Sequence, residues 1–522
     1  MRLVTSAEMR AVEALAEVSG TPPATLLVLA ATAVADRLVS LFGRGRRGVV
    51  LVGKGNNGGD ALVAARRLGI NFGWRLSVVV VASRVEDEHL SALEAPDLSA
   101  RVRVYRWSRG STSDALDRAL ADADVVLDGV LGIGATGALR GEALEVLARC
   151  SAITGPPGQA RIAIDIPSGV DADTGMATAD AFRATRTLST GPAKPGCFVG
   201  SGGALAGYVD VLDIGLPASA WPPSEAVGLP DDGAIRRVGA REASMVLPAR
   251  PDRSHKGSFG RVLVVGGCAN YPGAPVLASI GAIHGGAGVV SVARPNGVAG
   301  VALPAEVVEV PLHKGAEDLG SIDVEAIVRA SLRMRAVVVG PGLGTAASTV
   351  AAVRATVAAL GSTIPMVVDA DGLNALAGTM DGRCSPWVVT PHVAEMARLT
   401  DLAIDEVLQD PIGIARLAAQ RWGVVVVLKG APTVIASPRG SVVIGAYANA
   451  ALATAGSGDV LAGLVGALLA QGSSPWHAAI AGVTIHAIAG EIWRRDHGVS
   501  GARASDLAAH IPGARALIAR MV

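Results

Sequence analysis

Aromatic residues make up only 3% of this 522-residue chain, and its charges cancel, 46 Lys+Arg standing against 46 Asp+Glu. Without a net positive field the chain lacks the electrostatic footprint of a nucleic-acid or anionic-membrane binder, so neither partner is expected. Cysteine is also scarce. Cys150, Cys197, Cys268 and Cys384 are scattered, with no C-x-x-C spacing and no histidine cluster beside them, which argues against a disulfide framework or a zinc site. Residues 1–10 carry no apolar core of the kind a signal peptide needs. No uninterrupted apolar run reaches the ~18–20 residues of a membrane span. A cytoplasmic protein with small-molecule partners is expected, and a homo-oligomer.

What is abundant is apolar surface, half of all residues, and glycine, 65 of 522. That glycine share, well above the usual ~7%, is not in repeats and therefore belongs to turns at strand ends. The length suits two or three domains, each with its own core. The stretch Leu216 to Asp232, with Pro217, Pro222, Pro223 and Pro230 and no periodic apolar face, reads as a linker. The expected division is 1–220, a linker over 221–234, and 235–522. Short β-branched runs alternate with helical stretches on both sides of that linker: 49–52, 76–82, 125–127, 162–166, 185–189 and 208–212, then 262–265, 289–292, 336–339, 366–368, 387–389 and 424–428. Runs apolar on both faces predict mostly parallel, doubly covered sheets, an α/β class. A hairpin is expected over 433–436 and 442–444, around the turn Pro438–Ser441.

In such sheets ligands bind beyond the carboxyl ends of strands. In the first half, Asn56-Asn57-Gly58-Gly59-Asp60 sits at a strand-to-helix junction, and Asp128 leads into the flexible loop Gly132-Ile133-Gly134-Ala135-Thr136-Gly137-Ala138. Asp165-Ile166-Pro167-Ser168-Gly169-Val170-Asp171 puts an acid at a strand end with a serine three residues on, and Lys194 follows another strand between prolines. Asn57, Asp128 and Ser168 are hard oxygen donors suited to an alkali or alkaline-earth ion. A glycine-rich turn with an Asp cap and a plain surface lysine are the alternatives.

In the second half, Ala455-Gly456-Ser457-Gly458-Asp459 opens an apolar helix whose first N–H groups can hold a phosphate. Asp459 there is either a dipole-stabilising cap or the base that accepts a hydroxyl proton during phosphoryl transfer. Ser254–Gly260, Gly266–Ala274, Gly340–Gly344, Asp369-Ala370-Asp371, Thr390-Pro391-His392 and Lys429-Gly430-Ala431-Pro432-Thr433 flank the strands around it.

The first set of motifs, in this order, resembles the epimerase domain that acts on hydrated NAD(P)H, a Rossmann-like three-layer α/β/α fold. The resemblance implies a substrate held by 56–60 and 132–138, a potassium ion on Asn57, Asp128 and Ser168, and Asp165 as acid/base with Lys194 close by. Two departures are Ala61, where the family continues with glycine, and the missing Glu and Gly of the helix near 27–31; a methyl at 61 is expected to crowd the phosphate loop. The second set resembles the ribokinase-like superfamily, and within it the ADP-dependent NAD(P)H-hydrate dehydratase branch. That implies hydrated nicotinamide nucleotide against Ala274, Gly342, Gly344, His392 and Asp459, with ADP held by Lys429, Gly430, Ala431, Pro432, Thr433 and Gly458, and Mg2+. Here Val393-Ala394 precede Glu395 where the family has Pro-Gly, and Cys268 replaces a usual serine. The expected activity is two-step repair of hydrated NADH or NADPH, with Asp459 catalytic in the second domain. The competing reading is a ribokinase-like small-molecule kinase fused to a non-catalytic nucleotide-binding module.

Overall fold

The computed structural model describes residues 1–521 except 82–87, 97, 109–113, 136, 222–228, 299–300 and 362. Thr136 and the 222–228 part of the expected linker therefore lie outside the described residues. The chain divides into two compact units, Arg2–Ser224 and Glu225–Val522.

The first unit opens with β1 (Arg2–Leu3) and two helices, Ser6–Val18 and Pro23–Phe42. A capping box between Thr5 and Glu8 starts the first helix, and Pro23 starts the second, where its missing N–H costs nothing. Seven parallel strands follow: β2 (Arg47–Val52), β3 (Arg75–Val80), β4 (Val102–Arg106), β5 (Val125–Gly129), β6 (Ala160–Ile164), β7 (Arg186–Thr190) and β8 (Tyr208–Leu212). Their order is β4-β3-β2-β5-β6-β7-β8, so the order reverses between β2 and β5. The period of two sends Val50 and Val52 to one core with the helices Pro23–Phe42 and Asn56–Phe72. It sends Val49 and Leu51 to the other, with Leu116 and Val146 of the opposite helices. Two cores on one sheet make the three-layer α/β/α arrangement that the sequence predicts.

Four strands escaped the sequence reading, the two-residue β1 among them. β4 (VRVYR) and β12 (Val307–Val310, VVEV) are sheet edges whose polar, half-exposed residues break the apolar run. β9 (Ile235–Val238) hides two arginines. The helix Pro23–Phe42 is long and apolar enough to cross a membrane by length and composition. Asp36 and Arg37 interrupt it, and its Ala31, Val34, Ala35 and Leu38 face is buried in the unit's own core.

In the second unit β10 (Arg261–Val265), β11 (Val289–Ala293), β13 (Ala336–Val339), β14 (Met366–Val368), β15 (Trp387–Val389), β16 (Val425–Leu428), β17 (Val434–Ala436) and β18 (Val442–Gly445) join β9 and β12 in the order β9-β18-β17-β16-β15-β14-β13-β10-β11-β12. Among the described strands only β17 runs antiparallel to both its neighbours, forming the expected hairpin with β18. The helices Ala274–Gly285, Ser457–Ala470, Pro475–His497 and Ala504–Ala519 share one large core over the sheet. Glycine permits this close packing. A Cβ on Gly463 would lie 1.8 Å from the Ala278 carbonyl oxygen, so only hydrogen fits there.

Candidate active sites

In the first unit the chemistry gathers at the carboxyl ends of β2, β5, β6 and β7. Asn57 donates its amide to the Leu131 and Ile164 carbonyls at 2.8 and 3.1 Å, which leaves its buried Oδ1 without a partner among the described residues. Asp128, fully buried in β5, accepts from the Val130 N–H at 3.1 Å, the Ser168 N–H at 2.8 Å and the Ser168 hydroxyl at 2.7 Å. Burial pushes its carboxyl up to about 6, against the lowering pull of those bonds. A buried carboxylate, an orphaned amide oxygen and a hydroxyl form a donor set that fits an alkali cation, not zinc.

Asp165, one residue past β6, has φ 64, a backbone state that costs a non-glycine residue of order 1–3 kcal/mol and concentrates at functional sites. Its carboxylate is ion-paired with Lys194, which is wholly buried and so is no surface lysine. Asp60 joins them. Burial, then the neighbouring charges of Asp165 and Glu13, push its carboxyl up to about 8 in spite of Lys194. Sequence reasoning missed Glu13. The one available signal was its place on the first helix, next to the buried residue Val12 and one turn on from Met9.

Asn56 is exposed at the helix start. Gly58 and Gly59 are packing glycines: a Cβ on Gly58 would lie 2.0 Å from the Gly53 carbonyl oxygen, and one on Gly59 2.8 Å from Leu27. Gly132, Ala135, Gly137 and Ala138 line a cavity of about 450 Å³ with Pro167 and Asp171 opposite. Ile133 instead packs on a small core with Ile166 and Val170, and Gly134 faces open space. The Ala61 methyl is fully buried among core residues, its Cβ set against Gly129 at the start of the loop that follows Asp128.

In the second unit Gly456, at φ 85, caps the helix Ser457–Ala470, and a cavity of about 620 Å³ opens at its N-terminus. Gly458, Asp459, Lys429, Gly430, Ala431, Thr433 and His392 all line it; Pro432 does not. Burial, then Asp369, Asp371 and Glu395, push the Asp459 carboxyl up to about 7, opposed by Lys429. Burial acts to lower the Lys429 ammonium, but Asp369 at 2.7 Å and Glu395 at 3.7 Å raise it overall, so it stays charged. His392 caps the helix Val393–Thr400: its Nδ1 accepts from the Ala394 and Glu395 N–H groups at 3.1 and 3.2 Å. The other ring nitrogen is left towards Glu395, 3.4 Å away.

Ala274 and Gly342 meet where the strand order reverses between β10 and β13; a Cβ on Gly342 would lie 2.7 Å from that of Ala274. Gly344 donates its N–H to Asp371 at 2.8 Å, and Asp371 is among the charges felt by Asp459. None of these three residues lines the cavity at the start of the helix Ser457–Ala470. Glu395, which the sequence marks only as the acid that follows Val393-Ala394, and His486, which it does not mark, also line that cavity. Burial pushes the His486 imidazole down to about 4, so it is neutral.

The comparisons bear on both units. Residues 262–513 match the family model described as NAD(P)H-hydrate dehydratase, and residues 23–196 the model described as YjeF-related protein N-terminus. A bifunctional NAD(P)H-hydrate repair enzyme of Salinibacter ruber is 36% identical, across 94% of this chain and 92% of its own length. One from Moorella thermoacetica is 34% identical, across 98% and 96%. A crystal structure of the ADP/ATP-dependent NAD(P)H-hydrate dehydratase of Bacillus subtilis is 29% identical, covering 54% of this chain and 98% of its own, with a TM-score of 0.48. On the strength of the two full-length relatives, this chain belongs to the family of bifunctional NAD(P)H-hydrate repair enzymes.

Proposed function

We propose that the chain repairs hydrated NADH and NADPH in two steps: residues 1–220 interconvert the R and S epimers, and residues 235–522 dehydrate the S epimer at the expense of ADP. The observation that carries the second step is the position of Asp459. It stands in the first turn of the helix Ser457–Ala470, its carboxyl raised to about 7, in one cavity with Lys429 and Gly458. A base of that affinity is poised to take the proton of the substrate hydroxyl as the terminal phosphoryl group of ADP moves onto that oxygen. AMP leaves; loss of phosphate and of the adjacent ring proton then restores the double bond. Free N–H groups at the helix start and the Lys429 ammonium offset the charge of the moving group. Asp369, Asp371 and Glu395 crowd negative charge around one lysine. That surplus fits Mg2+, which when bound would neutralise phosphate oxygens.

In the first unit Asn57, Asp128 and Ser168 would hold potassium, whose charge would anchor the substrate's phosphate. Asp165, paired with Lys194, serves as acid/base at the hydrated ring carbon, and 132–138 with Asn57 and Asp60 hold the nucleotide. Incubating the protein with hydrated NADH and ADP tests the reading: reduced-cofactor absorbance should return with equal release of AMP and phosphate. A stable phosphorylated product would instead identify a small-molecule kinase.

A further inference from the structure

The cavity of about 450 Å³ in the first unit holds neither member of the catalytic pair: Asp165 and Lys194 are absent from its lining. It is nonetheless joined to their site. Pro167 and Gly169, which line it, flank Ser168 in the chain. Leu131, which also lines it, donates its N–H to the Ser168 hydroxyl at 2.8 Å, and its carbonyl accepts the Asn57 amide at 2.8 Å. Ser168 in turn donates its hydroxyl to Asp128 at 2.7 Å. The oxygen donors Asn57, Asp128 and Ser168 are thus bonded to the cavity wall or to one another, while Asp165 pairs with Lys194 outside it.

A hydrated dinucleotide carries its two halves on either side of a pyrophosphate. With the reacting ring at Asp165 and a phosphate at those oxygen donors, the second half has to lie beyond them, and the cavity is the space there. Its volume falls in the ~300–1,000 Å³ range of small-molecule sites. We propose that it takes the adenosine half of the substrate, and that Asp171 in its wall makes the first unit prefer hydrated NADH to hydrated NADPH. This rests on the epimerase reading.

The lining suits a nucleoside. Leu131, Val170, Met176 and Ala177 offer apolar faces to a base, and the Thr178 hydroxyl beside them has no partner among the described residues. Asp171 is held by its own turn: Oδ1 accepts from the Asp173 N–H at 3.0 Å and from the Thr174 N–H and hydroxyl, both at 2.9 Å. No hydrogen bond to its Oδ2 is found among the described residues, so that oxygen is left to accept from a ribose hydroxyl, the part an acid plays in dinucleotide sites. A 2′-phosphate in the same place would set negative charge against the carboxylate. Among the described residues no lysine, arginine or histidine lines the cavity to offset it.

The full chain is given the R epimers of hydrated NADH, hydrated NADPH and hydrated reduced nicotinamide mononucleotide without ADP, and appearance of S above the unaided rate is followed by chromatography. Wild type should show a kcat/KM about 10-fold or more higher for hydrated NADH than for hydrated NADPH. Asp171→Asn keeps the oxygen that holds the turn and removes the charge; it should narrow that ratio to about twofold, through KM for the NADPH form. Ala177→Trp fills the cavity, and should cost hydrated NADH at least about tenfold more in kcat/KM than it costs the mononucleotide, which has no adenosine to place. No epimerisation of any substrate by wild type would overturn the epimerase reading. Equal kcat/KM for the NADH and NADPH forms, an unmoved ratio in Asp171→Asn, or equal losses on both substrates in Ala177→Trp would overturn the inference alone.

Discussion

The Lys429 ammonium lies 2.7 Å from the Asp369 carboxylate, a charge-assisted bond joining the carboxyl ends of β16 and β14 beneath the start of the helix Ser457–Ala470. Asp369 and Glu395 together hold the lysine at the lining of the cavity. Lys429→Met should weaken ADP binding by the worth of one such bond, about 1.5–3 kcal/mol, or about 10- to 150-fold in Kd by calorimetry. It should also lower Tm, since Asp369 would be left buried without its cation.

Asp459→Asn should reduce dehydration by about 10²- to 10⁴-fold and leave epimerisation unchanged. Because the group must be ionised to accept a proton, and its affinity is raised to about 7, wild-type dehydration should climb as pH rises through 7. The residual activity of the Asn variant should lack that climb.

Should the orphaned Asn57 Oδ1 and the buried Asp128 carboxylate hold potassium as proposed, that ion should stabilise the first unit. At a hundred times its Kd, KCl should add about 2.7 kcal/mol to the stability of the first unit. Equal ionic strength of choline chloride should not, and Asp128→Asn should remove the effect, both read by thermal denaturation.

Ala61→Gly should leave the epimerisation rate within about twofold and lower stability by roughly 1–2 kcal/mol, the sum of a helix glycine and a lost buried methyl. A large gain in rate would show that the methyl faces substrate after all.

The α/β organisation and most strands were legible because buried parallel strands read as unbroken β-branched runs. The edges β4 and β12 were not, since a half-solvated strand needs no such run. Residues just past strand ends, Asp165, Lys429 and His392, could be picked out for the same topological reason. Glu13, Glu395 and His486 could not: they reach their sites from helix faces, and only tertiary packing decides which face meets a cavity. The glycines of 56–60 carry a second role the sequence did not announce, since Gly58 packs against the Gly53 backbone and Gly59 against the Leu27 side chain.

The two-step account is tested most directly by giving the protein an equal mixture of R and S hydrated NADH with excess ADP, faster than the epimers interconvert unaided. Complete recovery of reduced-cofactor absorbance, with one AMP and one phosphate for each molecule restored, is the result the account predicts. Recovery that stops at half, or a phosphorylated product that accumulates, would contradict it.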